Sequence, residues 1–114
     1  MNTANHVVPS IAAGTFESDV LAASHERPVV VEFGAEWCGP CRALAPVLAQ
    51  LASEPGLGAS IVTVDADAEP ELTARFGVRA LPTLLTFRRG QIASSVVGLT
   101  SAATIRDRIR AAAA

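Results

Sequence analysis

The chain has 114 residues, 50% apolar and 18% charged, with a formal net charge of −2. That length and composition predict one domain, residues 1–114, and exclude a disordered chain; a core can form without structural disulfides or metal. The slight acidity excludes the basic face of a nucleic-acid or anionic-membrane binder, and apolar runs of at most four residues exclude a membrane-spanning helix.

Residues 1–5 and 111–114 read as loose termini, and residues 7–10 as a short edge strand. Residues 1–10 hold no basic residue and no secretory apolar core, which predicts a cytoplasmic chain. Thr15 is placed to cap a helix reaching about residue 23, with Phe16, Val20 and Ala23 on one face. Residues 29–33 are β-branched and almost continuously apolar, the pattern of a strand buried on both faces, interrupted only by Glu32. Leu44, Val47, Leu48 and Leu51 fall at the spacing of one helix face. Pro40 suits the first turn of that helix, and Pro46 predicts a kink inside it.

Residues 60–64 read as a second buried strand, 65–69 as an acidic loop and 70–76 as a short helix stopped by Gly77. Residues 83–87 form a further strand that turns at Arg88-Arg89-Gly90 into 91–97, and Ser101 caps a last helix carrying Ile105 and Ile109. Asp65, Asp67, Glu69, Glu71, Arg88, Arg89, His6 and His25 all read as solvated surface groups. The alternation predicts an α/β fold with a central mixed five-stranded sheet flanked by four helices.

Cys38 and Cys41 form a C-x-x-C at the point where a buried strand hands over to a helix. All nine basic residues are arginine, so no lysine serves the chemistry. Residues three apart share a helix face, so a disulfide is within reach. So short a loop is a poor staple, worth roughly 2 kcal/mol against about 3 for a fifteen-residue loop, which favours a reversible bond. The helix N-terminus favours a thiolate at Cys38, and Cys41, expected to lie deeper, can resolve the mixed disulfide that Cys38 forms. Three other readings stand beside this one: a zinc half-site completed by His6 and His25, two unrelated buried thiols, and a regulatory disulfide on a binding module.

The segment Ala35-Glu36-Trp37-Cys38-Gly39-Pro40-Cys41 resembles the active site of the thioredoxin family. Ala45-Pro46 is similar to that family's helix kink, and Phe76-Gly77-Val78-Arg79-Ala80-Leu81-Pro82-Thr83 to the segment holding its cis-proline. Arg89-Gly90 and Val97-Gly98 match its hairpin and groove glycine, and the likeness runs from about Phe16 to Ile109. The resemblance implies a thioredoxin fold and a protein-disulfide reductase needing no cofactor of its own. It implies Cys38 as the attacking thiol, Cys41 as the resolving one, and a cis bond at Leu81-Pro82. Trp37, Gly39, Pro40, Leu81, Pro82 and Gly98 would receive an extended, disulfide-bearing client segment. Electrons would come from an NADPH-dependent flavoprotein, thioredoxin reductase, and the protein is expected to be a monomer. A disulfide oxidase or isomerase, or a chaperone module keeping the fold without turnover, are the alternatives.

Glu32 is a carboxylate inside an apolar strand, which is costly unless satisfied. Either its head escapes to the sheet edge or, as the resemblance implies, it accepts the proton of Cys41. The family usually carries Asp there; Glu is similar to the catalytic domains of protein disulfide isomerase. Two positions depart from the family pattern: Thr63 stands where a lysine often faces the carboxylate, and Gly34 where a tryptophan is usual. With no cation beside it, Glu32 is predicted to have a raised pKa.

Overall fold

A computed structural model describes residues 8–114. Strand β1, Val29–Gly34, is buried along its whole length because it is flanked on both sides and covered on both faces. It pairs in parallel with β2, Ser60–Asp65, and antiparallel with β3, Thr83–Arg88. β3 in turn pairs antiparallel with β4, Gln91–Val97, so the sheet order is β2-β1-β3-β4.

Among the described residues the sheet has four strands, not the expected five. Of residues 7–10, Ser10 makes one parallel bridge to Thr63. The Thr63 N–H donates to the Pro9 carbonyl at 2.9 Å, and the Ile11 N–H donates to the Thr63 carbonyl at 2.9 Å. Pro9 has no N–H with which to extend the ladder. Val7, His6 and the predicted loose segment 1–5 lie outside the described residues.

Among the described residues four helical segments pack on the sheet. α1 is Ala13–Phe16, continued by π-helical turns at Glu17–Ala22 and a 3₁₀ turn at Ala23–His25. α2 is Gly39–Ala52, α3 is Pro70–Arg75 and α4 is Ala102–Ala113. Thr15 does not cap α1: the helix starts two residues earlier, where the Ala13 N–H donates to Glu69 Oε1 at 3.0 Å. Ser101 does cap α4, accepting from the Thr104 N–H at 3.1 Å. Residues 111–113 are not loose but helical, with Ala112 buried, since an alanine run is the best of helix formers once one side finds a core.

Alternation along β1 sorts the core into two layers. Val29, Val31 and Phe33 pack with Phe16 and Leu72 on the α1/α3 face. Val30 packs with Leu44, Leu48, Ile105 and Ile109 on the α2/α4 face. The same alternation sends Glu32 and Gly34 to the α2 face, beneath the cysteines. The 88–90 hairpin is tied down through Ser24, which is fully buried. Its carbonyl accepts from Arg89 N–H at 2.8 Å and Arg88 Nη1 at 2.9 Å, and its Oγ accepts from Gly90 N–H at 2.8 Å. Arg88 is therefore a half-buried strut rather than a free turn charge, while Arg89 and His25 are exposed as expected. Among the described residues no helix is long and apolar enough to cross a membrane.

Candidate active site

The chain leaves β1 at Gly34 and turns, the Cys38 N–H donating to the Ala35 carbonyl at 3.2 Å. Cys38 is the N-cap of α2, in an extended conformation, and its sulfur accepts from the Cys41 N–H at 3.2 Å. An N-cap side chain normally presents an oxygen to these unpaired donors; here a sulfur takes the place, where positive helix charge favours an anion. Pro40 sits in the first turn, as expected. Cys38 and Cys41 are joined by a disulfide, with Cα atoms 5.2 Å apart. Among the described residues no group of three or more His, Cys, Asp or Glu comes together as a metal site.

Cys41 is not the deeper cysteine. Cys38 is 4% exposed and Cys41 7%. Both are buried, and Gly34, with no side chain, leaves a cleft open beside Cys41.

Glu32 is buried on the same side. Its register neighbours are Thr63 on β2 and Leu84 on β3, so neither adjacent strand offers a cation. A Cβ built on Gly34 would collide with Glu32 Oε2 and lie 3.3 Å from Cys41 Sγ. Carboxylate and sulfur thus flank the same point in space. Burial pushes the Glu32 carboxyl up from 4.5 to about 7. The head does not escape to the sheet edge.

The remaining predicted residues gather at the same end of the sheet. The Leu81-Pro82 bond is cis, Pro82 is buried and Leu81 half-buried. Thr83 pairs with Phe33 at the C-terminal end of β1, so Pro82 stands beside the turn into α2. The Gly98 N–H donates to the Pro82 carbonyl at 2.8 Å, and Gly98 has φ 92°, a conformation open to glycine at little cost. Gly39 and Pro40 are exposed. Trp37 is 67% exposed, yet its Nε1 donates to Asp67 Oδ2 at 2.7 Å.

Four contributors escaped the sequence reading. Asp67 anchors Trp37, and Asp65 Oδ1 holds the Asp67 loop by accepting from the Asp67 N–H at 2.9 Å. Val97 and Leu99 flank Gly98 as large exposed apolar groups, 64% and 57% exposed. An acidic loop gives no sign of a partner thirty residues away; two apolar residues about a glycine after a strand were the available signal for the last pair.

A two-cysteine disulfide on a helix N-terminus, carried by this α/β scaffold, defines a protein-disulfide reductase acting by dithiol–disulfide exchange through Cys38 and Cys41. The family model described as thioredoxin matches residues 7–111. A thioredoxin of Rhodospirillum rubrum is 41% identical over 88 residues, covering 77% of this chain and 83% of that protein. A bifunctional thioredoxin reductase/thioredoxin of Mycobacterium leprae is 39% identical over 102 residues, covering 89% of this chain and 22% of that protein. The solved structure of a mutant thioredoxin from Halobacterium salinarum superposes with a TM-score of 0.82 at 33% identity, covering 95% of this chain and 93% of that one. The chain belongs to the thioredoxin family.

Proposed function

We propose that this chain is a cytoplasmic, monomeric, single-domain reductase of protein disulfides, in which Cys38 attacks and Cys41 resolves. The carrying observation is the Cys38 sulfur at the N-cap of α2, accepting the Cys41 N–H. A Cys38 thiolate attacks one sulfur of the client disulfide, forming a mixed disulfide and releasing the first client thiolate. Cys41 then gives its proton to Glu32 and attacks Cys38 Sγ. The Cys38–client bond breaks, the second client thiolate leaves, and two electrons have passed to the client. Trp37, Gly39, Pro40, Leu81, Pro82 and Gly98 receive the client as an extended segment, which adds to the backbone at Leu81 like a further strand.

The reductant is an NADPH-dependent flavoprotein thioredoxin reductase. Support comes from the relative in which a reductase and a thioredoxin share one chain. With NADPH and such a reductase, catalytic amounts of this protein are expected to precipitate insulin by reducing its interchain disulfides. Insulin that stays soluble would leave only a binding or oxidising role.

Trp37 holds its pose through one exposed hydrogen bond to a carboxylate. Asp67→Ala is expected to raise KM for a protein disulfide about threefold with kcat unchanged, the size of one such bond. Steady-state kinetics checks this, and lower fluorescence anisotropy of Trp37, the sole tryptophan, shows the side chain released.

A further inference from the structure

Behind the disulfide, a cleft of about 350 Å³ runs from solvent to Glu32 and Cys41. It exists because position 34 has no side chain: even a methyl group there would strike Glu32 Oε2 and crowd Cys41 Sγ. Facing Glu32 are Cys41 from α2, Thr63 from β2 and Leu84 from β3, none of them cationic. The charged groups on the cleft are Glu36 and Asp65, both exposed, and Arg42, whose Nη1 is held by the Glu36 carbonyl at 2.7 Å.

A carboxylate that takes a proton from Cys41 must lose it before the next turnover. The chain has no lysine, and among the described residues no histidine lines the cleft, whereas the cleft itself opens Glu32 to solvent. We propose that the Gly34 cleft is a proton port, through which solvent removes the proton Glu32 takes from Cys41, and which also admits small neutral bases to the same position. This rests on the reading of Glu32 as the proton acceptor. Two carboxylates against one guanidinium at the rim disfavour anions, so the fitting ligand class is neutral and heteroaromatic or amine-like, of imidazole size.

With Glu32 replaced by Ala, imidazole in the cleft takes the Cys41 proton directly. The Cys41 thiolate then closes on Cys38 Sγ and expels the bound thiolate, and imidazolium leaves for solvent. The resolving step is read from a stoichiometric mixture of reduced protein and dithiobis(nitrobenzoate). The first thionitrobenzoate reports attack by Cys38, the second resolution by Cys41.

Glu32→Ala is expected to slow the second release about tenfold or more at neutral pH, leaving the first almost unchanged. Imidazole at tens of millimolar should then raise the second rate severalfold. In Glu32→Ala combined with Gly34→Leu, which fills the cleft, the ratio of rates with and without imidazole should fall to one. Thermal unfolding establishes that this double variant folds. If it does not, Glu32→Ala with Gly34→Ala, whose collision partner is gone, should show a reduced ratio. A slow second release that imidazole does not hasten, or that it hastens equally in the filled-cleft variants, overturns the port and leaves Glu32 as acceptor. A second release at the wild-type rate in Glu32→Ala removes Glu32 from the mechanism and the port with it.

Discussion

Cys38→Ser is expected to abolish disulfide reduction, while Cys41→Ser should stop after one chemical step and accumulate mixed disulfides with clients. The asymmetry comes from the helix end. Only the Cys38 sulfur occupies the N-cap, where it accepts the Cys41 N–H at 3.2 Å and meets the positive end of α2. Burial does not separate the two, since both are nearly inaccessible. The roles therefore rest on electrostatics and on which sulfur a client can reach beside Trp37 and Pro82. Non-reducing gels of each variant mixed with a disulfide-bearing protein check this. Equal trapping by both variants, or trapping by Cys38→Ser alone, reverses the assignment.

Glu32→Gln is expected to stabilise the oxidised protein at pH 8 and to leave it nearly unchanged at pH 4. The native carboxyl titrates near 7 against 4.5 for the ordinary group, because burial penalises its charge. Between those values the unfolded chain gives up its proton while the native one keeps it, so wild-type stability falls as pH rises through that window and levels off above it. The full shift, from 4.5 to about 7, corresponds to a cost of about 3 kcal/mol at pH 8, which the neutral amide removes. Denaturant unfolding of both proteins at the two pH values measures it. A variant equally or less stable than wild type at pH 8 would show that Glu32 is not a strained acid.

The same substitution should slow the resolving step by about 10- to 30-fold at neutral pH, where an unassisted thiol with pKa ≈ 8.5 is only a few per cent ionised. The deficit should close as pH rises past the thiol's own pKa, a profile that a merely structural defect would not produce. Unchanged turnover would remove Glu32 from the reaction.

Local chemistry and periodicity carry the part of this protein that is legible in the sequence. The apolar run at 29–33, the helix face of Leu44, Leu48 and Leu51, and Ser101 at its cap each specify their element through near neighbours, and each stands where its pattern placed it. The W-C-G-P-C segment, set between strand and helix, likewise located the reactive pair, since helix charge and N-cap geometry act over a few residues. Thr63 as the neighbour of Glu32 followed from the family resemblance alone, and the parallel register of β1 and β2 places it there.

Whatever depends on residues distant in the chain was settled by tertiary packing instead. The start of α1 is set by Glu69, which accepts from Ala13 across the fold, and not by Thr15. Arg88 is held by Ser24, and Trp37 by Asp67, contacts with no periodic signature. Among the described residues the expected edge strand keeps a single bridge, because continuing the ladder needs an N–H that Pro9 lacks. A helix position says which sulfur meets the dipole, but only the space left by Gly34, two residues along β1 from Glu32, exposes the flank of Cys41 and brings carboxylate, sulfur and solvent together.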